Sequence, residues 1–242
     1  MITFIFAVYN QQHVLEKSII SLQKYLIDRS IDDSEIIICN DGSPDKCVEI
    51  SDGLSKQFNN VISIGYKRNR GRGFAIKYAG TLAQGEHLLC LDCDLIIDRN
   101  FIFIDKMIKY IRIYDVVIAS RFHPKARSNR KFIRRFVSQV YRHLVKILFS
   151  NFPVTDPDVG FKGYNKKVFQ QINISTNLNG PSWDLQFLTN AAHEGYDIFE
   201  FPFSYIEDYK QTTVNIITCS IIEFIGMIYI RITLSISKRI IF

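Results

Sequence analysis

The chain opens on Ile2 to Val8, an apolar run without helical spacing that stops at Tyr9-Asn10. Behind it Val14, Leu15, Ile19, Leu22 and Leu26 recur at the three- and four-residue intervals of a helix with one buried face, to about Asp28. Strand, loop and helix then repeat. Glu35 to Cys39 predicts a second strand, Asn40-Asp41-Gly42-Ser43-Pro44 a loop, and Asp45 to Phe58 a helix. Val61 to Tyr66 predicts a third strand, followed by a glycine-bearing turn from Asn69 to Gly73, a helix through Ala83, and a fourth strand at His87 to Leu91. Strands separated by single helices predict an α/β fold with a mostly parallel sheet flanked by helices, whose ligands gather beyond the carboxyl ends of the strands. The polar residues just named fall at those ends.

The pattern shifts twice further on. From Val116 to Thr155 the chain is basic and free of acids, and from Val214 it turns apolar. Val214 to Ile230 is 17 residues with one charge, Glu223, before Arg231 interrupts and Lys238-Arg239 closes the segment. A spanning helix prefers about 20 uninterrupted apolar residues. Asn215, Thr218, Glu223 and Gly226 fall near helical spacing, which predicts an amphipathic helix lying in a membrane interface with basic residues toward the headgroups. A C-terminal helix packed on the core is the competing reading. The chain thus divides into a catalytic domain over 1–210 and a membrane-associating helical tail over 211–242.

Composition narrows the class. With 242 residues, 47% of them hydrophobic and 22% charged, the chain buries a sizeable core and is too apolar for disorder. A net charge of +6 favours anionic partners: nucleic acid, acidic lipid or phosphorylated small molecules. Five cysteines, an odd number, and no leader-like segment before the first strand point to a reducing cytoplasm.

Asp92 and Asp94 follow the fourth strand directly, and a spacing of two in extended backbone points both carboxylates to one side. Paired anionic oxygens suit a hard divalent cation that bridges a nucleoside diphosphate and neutralises the leaving group. Cys90 and Cys93 interleave with these acids, but no second cysteine or histidine pair completes a zinc site; small apolar residues at a strand end is the simpler reading. Asp41 can accept hydrogen bonds from a base or ribose, and Asn69, Gly71, Arg72 and Gly73 permit close backbone approach to phosphate at a helix start. Arg121, Lys125, Arg127, Arg130, Lys131, Arg134, Arg135, Arg142 and Lys146 form a basic belt able to hold an acceptor phosphate or lipid headgroups. Phe122, Phe132, Phe136 and Tyr141 among them keep a nucleic-acid surface open as an alternative, but that reading explains the charge and not the ordered strand-end acids. No hydrolase triad is visible.

Taken in order, Ala7-Val8-Tyr9-Asn10, Asn40-Asp41-Gly42-Ser43, Asn69-x-Gly71-Arg72-Gly73 and Asp92-x-Asp94 resemble family 2 glycosyltransferases of the GT-A fold. Ala119-Ser120-Arg121-Phe122 and Asp156-x-x-x-Gly160-Phe161-Lys162 look like the branch that glycosylates polyprenyl phosphates, the dolichyl-phosphate mannose and glucose synthases. The resemblance covers roughly residues 1 to 210. It implies inversion at the anomeric carbon. Tyr9, Asn10 and Asp41, with Asn69, Gly71, Arg72 and Asp92, would hold a UDP- or GDP-sugar. Asp92 and Asp94 would take Mg2+ or Mn2+, and Arg121, Arg130, Arg134 and Lys162 the acceptor phosphate. A polyprenyl phosphate needs no strong base; a glycan hydroxyl would need one, with Asp156 or Asp158 the candidates. These implications place the protein on the inner face of the membrane, with nucleic acid excluded as a partner. Three departures stand out: Ala7 for a usual proline, Ile96 where mannose-type relatives often place a glutamine metal ligand, and Gln186, after Trp183 and Asp184, for a frequent glutamate. The last leaves the sugar unassigned.

Overall fold

The structure, a computed structural model, describes residues 1–95, 101–127, 132–150, 152–204 and 216–240. Four βα units build its first half. Strand β1 (Ile2–Val8) leads to helix α1 (Leu15–Asp28), β2 (Ser34–Asp41) to α2 (Cys47–Gln57) and β3 (Val61–Tyr66) to α3 (Arg72–Leu82). Strand β4 (His87–Cys90) precedes α4 (Phe101–Ile111). Phe4, Ile5 and Phe6 are all buried although successive side chains face opposite ways, because helices cover both faces of the sheet. The sequence reading stops the second strand at Cys39. It runs on to Asp41 because Asn40 and Asp41 still pair with Gly65 and Tyr66 of β3.

The sheet continues with β5 (Val116–Ser120), β6 (Lys162–Asn165) and β7 (Ile198–Pro202), in the order β3-β2-β1-β4-β6-β5-β7. After β3 the chain crosses back to place β4 on the other side of β1, and the crevice at that reversal is where open α/β sheets bind ligands. Strand β6 alone runs antiparallel to its neighbours β4 and β5. Its incoming segment, 156–161, therefore arrives at the same edge where the parallel strands end. The amide of Asp92 fixes that meeting by donating to the Gly160 carbonyl at 3.1 Å.

Helices α5 (Phe132–Leu148), α6 (Lys166–Ser175), α7 (Trp183–His193) and α8 (Ile216–Ile240) complete the chain. Tyr164, Phe169, Trp183 and Phe187 form an aromatic cluster that fixes α6 and α7 on β6. A second, smaller core joins Tyr141 and Val145 of α5, Phe149 just after it, Leu185 of α7, and Met227 and Ile230 of α8. The apolar tail is thus a helix packed on the protein; of its polar positions Thr218 is exposed and Glu223 half-buried. Gly226 is buried with Met227 and Ile230, while Ile221, Phe224, Ile225, Ile228 and Ile232 are exposed. Asn215 and the 210/211 domain boundary lie outside the described residues.

Candidate active site

Around the reversal, the ends of β1 to β4 form one continuous polar edge. Asn10 takes a left-handed conformation (φ 54°) that turns the chain out of β1, and its amide donates to Ser43 Oγ at 3.1 Å. Ser43 in turn donates its amide to Asn40 Oδ1, so the loops after β1 and β2 brace each other beside the exposed Tyr9. Asp41 is buried, and its carboxylate accepts from the Tyr66 hydroxyl (2.8 Å), Asn69 Nδ2 (3.0 Å) and the amides of Arg70 (2.7 Å) and Gly71 (3.0 Å). Those donors fill the acceptor sites of a carboxylate. Asp41 therefore shapes the 69–71 turn from beneath.

Packing itself requires the glycines of that turn. Gly71 has φ +94°, and a Cβ there would meet the Asn179 carbonyl; one on Gly73 would overlap Trp183. Between them, Arg72 begins α3 and reaches into the site. Its Nε lies 3.2 Å from Asp92 Oδ1 and its Nη1 2.7 Å from Asp184 Oδ2. Asp184, on α7, also takes the Lys162 ammonium at 2.6 Å. Lys162 is fully buried and donates to the Val159 carbonyl as well, so its charge belongs to an internal chain, Asp92, Arg72, Asp184 and Lys162, and is not presented to an acceptor phosphate. Asp184 is the residue the motifs missed, and its one sequence signal is that it is the sole acid of its helix, in the first turn.

The backbone after Asp92 is not extended: Cys93 to Leu95 form a 3-10 turn, anchored by Ser18 of α1 donating to the Cys93 carbonyl at 2.5 Å. Alternation therefore does not set the directions of Asp92 and Asp94. Asp92 keeps 40% of its side chain exposed, Asp94 is exposed, and Ile96 lies outside the described residues. Two carboxylates at an open edge fit Mg2+ or Mn2+, which bind through one or two carboxylates and complete their shell with water and phosphate oxygens. No cluster of three or more His, Cys, Asp or Glu side chains suited to a metal occurs among the described residues. Gly160 is required beside this pair, since a Cβ there would overlap the Asp92 carboxylate. Cys90 and Cys93 are buried, and burial pushes the Cys90 thiol up to about 12, so they are core residues and poor thiolates.

Beyond β6 the edge turns basic. Arg121, just after β5, grips Asp156 with Nε on Oδ2 and Nη2 on Oδ1, both at 2.8 Å, and its amide adds a third bond. Burial pushes the Asp156 carboxyl up, but Arg121 overcomes this and holds it below the usual carboxylate range. A carboxylate so held is a poor proton acceptor. Glu200 of β7 fixes the same loop by accepting from the amides of Thr155 and Asp156. Asp158 is the opposite case: burial first, then the Glu223 charge, push its carboxyl well above the ordinary range, with one hydrogen bond from the Tyr141 hydroxyl at 3.1 Å. Arg142 of α5 stacks 4.2 Å over the Phe122 ring, and its buried Nε has no hydrogen-bond partner among the described residues. Arg130 lies outside the described residues, and Arg134 falls on α5 where the backbone alone is described. Gln186 accepts from the Leu178 amide at 2.9 Å and braces the turn before α7.

A sheet reversing between β1 and β4, with acids at the strand ends and an antiparallel β6, is the architecture of a GT-A transferase. The chain belongs to glycosyl transferase family 2, whose model matches residues 3–172. Among curated relatives it is 26% identical over 204 residues to glycosyltransferase AglD of Haloferax volcanii, covering 83% of this chain and 32% of the relative. It is 29% identical to dolichyl-phosphate beta-glucosyltransferase ALG5A of Trichomonas vaginalis over 208 residues, covering 82% of this chain and 64% of the relative. The chain thus spans about a third of the first relative's length and under two thirds of the second's. In fold it resembles glucosyl-3-phosphoglycerate synthase of Mycobacterium tuberculosis, crystallised with Mn2+, UDP and phosphoglyceric acid. That match has a TM-score of 0.72 at 14% identity and covers 96% of this chain and 78% of the other.

Proposed function

We propose that the protein transfers a sugar, with inversion, from a UDP- or GDP-sugar to a polyprenyl phosphate on the inner face of the membrane. The observation that carries the acceptor is Arg142. A guanidinium stacked on Phe122, with a buried Nε that lacks a hydrogen-bond partner among the described residues, has desolvated a strong donor that an anion would satisfy. The dolichyl-phosphate beta-glucosyltransferase relative supports the same acceptor class. Tyr9, Asn10 and the turn shaped by Asp41 form the donor edge. Asp92 and Asp94 would hold Mg2+ or Mn2+, which when bound supplies charge neutralisation to the departing nucleoside diphosphate. Arg72 adds a fixed cation beside Asp92, and the Asp184–Lys162 chain keeps it aimed there. A phosphate acceptor is ionised near neutral pH, so positioning by Arg142 replaces a general base.

A glycan hydroxyl as acceptor is the second reading, favoured by Asp158. Its raised carboxyl is the better proton acceptor, whereas Asp156 is locked to Arg121. Transfer from labelled nucleotide sugars to polyprenyl phosphate in detergent, with a chelator control, separates the two. Metal-dependent label in the lipid fraction supports the first; label only in a free sugar acceptor replaces it with the second. The outward apolar side chains of α8 support a membrane surface as partner.

A further inference from the structure

Helix α5 turns Tyr141, Val145 and Leu148 inward, where they join the smaller core. Its opposite side is largely apolar too. Phe136, Val140, His143 and Ile147 stand four, three and four residues apart, the spacing of one helix face, and all are exposed, Phe136 by 59% and Ile147 by 64%. With Gln139 and Leu144, the first three line a shallow open groove. Helix α8, packed on α5 through Met227 and Ile230, repeats the arrangement: Ile221, Ile225, Ile228 and Ile232 keep the same four, three, four spacing on its exposed side. A helix face open to water is ordinarily polar, so two packed helices that each carry an outward apolar stripe mark a surface with a partner.

Charge says which partner. From Val116 to Thr155 the chain carries many basic residues and no acid, and exposed cations adjoin both stripes, Lys146 before Ile147 and Arg231 before Ile232. Cations flanking an apolar stripe suit anionic headgroups over acyl chains. A second copy of this chain would set the same cations against each other. A nucleic acid would want flat rings on which to stack, and Val140 and Ile147 offer none. Length decides how α5 meets the lipid. Its 17 residues make a helix of about 25 Å, short of the roughly 30 Å of a hydrocarbon core. Its inner face is committed to Tyr141 and Val145, so the helix lies along the surface and does not cross it.

We propose that α5 is a membrane-docking helix: Phe136, Val140 and Ile147 enter the boundary between headgroups and acyl chains of an anionic leaflet, together with the isoleucines of α8, while Lys146 and Arg231 meet the lipid phosphates. The consequence for the acceptor rests on the polyprenyl phosphate reading. The other sides of α5 carry Tyr141, which donates to Asp158 at 3.1 Å, and Arg142, stacked on Phe122. A helix with its side chains is about 10–12 Å across, so a docked α5 holds Arg142 within about that distance of the lipid boundary, at the level of the headgroups. An acceptor phosphate on a lipid chain then reaches Arg142 without leaving the leaflet.

Vesicle binding needs no turnover, so it tests the helix apart from the transferase reading. In flotation of the full chain with phosphatidylcholine vesicles containing phosphatidylglycerol, the double variant Phe136→Ser, Ile147→Ser should bind about tenfold or more weakly. Its melting temperature in detergent should not move, because both side chains are largely exposed. Lys146→Gln should weaken binding severalfold to these vesicles and not to vesicles of phosphatidylcholine alone. Contact is read directly by Phe136→Trp, whose fluorescence should be quenched by brominated acyl chains, whereas the native Trp183 is fully buried. Unchanged vesicle binding in the double variant, or an unquenched Phe136→Trp, overturns the proposal. A wild-type dimer or RNA complex formed without lipid and lost in the double variant would put a second copy or a nucleic acid in place of the membrane. Binding and quenching as expected, without transfer to polyprenyl phosphate, would support the docking helix and count against the acceptor assignment alone.

Discussion

On the side of β1 to β4, each proposed donor-side residue comes at or just after the end of its own strand, so Asn10, Asp41, Arg72 and Asp92 belong to four successive βα units. On the side of β6, the residues come from segments far apart: Arg121 after β5, Asp156 and Asp158 before an antiparallel strand, Arg142 on α5, Asp184 on α7 and Glu223 on α8. The first side leaves Asp92 part-exposed and Asp94 exposed, as the proposed metal and diphosphate require. The second is mostly buried and satisfies most of its charges internally, leaving Arg142 Nε without a hydrogen-bond partner among the described residues. The difference teaches that donor chemistry can be carried by short local motifs. Acceptor recognition depends on which buried charges have been neutralised, and that is a long-range property.

The largest expected effect tests the open side. Asp92→Ala or Asp94→Ala, like chelation of the metal, should lower kcat/KM by about a thousandfold or more, since a metal contributes several kcal/mol of transition-state stabilisation. Melting temperature should hardly move, and near-normal turnover would remove these acids from the chemistry.

Arg121→Ala tests the buried side and should act on stability. Leaving Asp156 as an unpaired buried charge should cost about 3–5 kcal/mol in chemical denaturation. The same pair sets a pH dependence. Because the Asp156 carboxyl is held below its ordinary value, its stabilisation is complete above about pH 3.9 and is lost as pH falls through the lower folded value. Wild type should therefore lose stability in that acid range, and Arg121→Ala should lose the Asp156 share of that dependence.

Arg142→Ala separates the two sides kinetically. KM for polyprenyl phosphate should rise about tenfold or more, as for loss of a charged hydrogen bond, with KM for the nucleotide sugar unchanged. Equal changes in both constants would place Arg142 outside the acceptor site. The smallest effect belongs to the outer face of α8, where Ile225 is 62% exposed. Ile225→Ser should weaken binding to anionic vesicles severalfold, about 1 kcal/mol, while leaving the melting temperature in detergent unaltered.

The first half of the fold was legible because each βα unit is local: an apolar run, a turn and a helical stripe follow one another, and Val61 to Tyr66 is the strand as read. The Asp92-x-Asp94 motif was legible too, but its extended geometry was not. The 3-10 turn depends on Ser18 of α1, which is distant in sequence. Asp41 read as a free acceptor because its donors at Tyr66 and Asn69 to Gly71 reach it only across a parallel strand pair. Lys162 read as an available cation because nothing near it in sequence announces Asp184.

By itself the sequence determined a helix-flanked parallel sheet, the acids at its strand ends and an apolar tail, since hydrophobic period and turn chemistry act between neighbours along the chain. Tertiary structure alone decided that β6 runs antiparallel and delivers Asp156 and Asp158 to the ligand edge. It also decided which cations are bound internally, and that Gly226, Met227 and Ile230 of α8 turn toward the protein while Ile221, Ile225, Ile228 and Ile232 turn away. The reason is the same throughout: a buried charge takes its state from whatever stands within a few ångströms of it, and folding brings together groups that lie tens of residues apart in the chain.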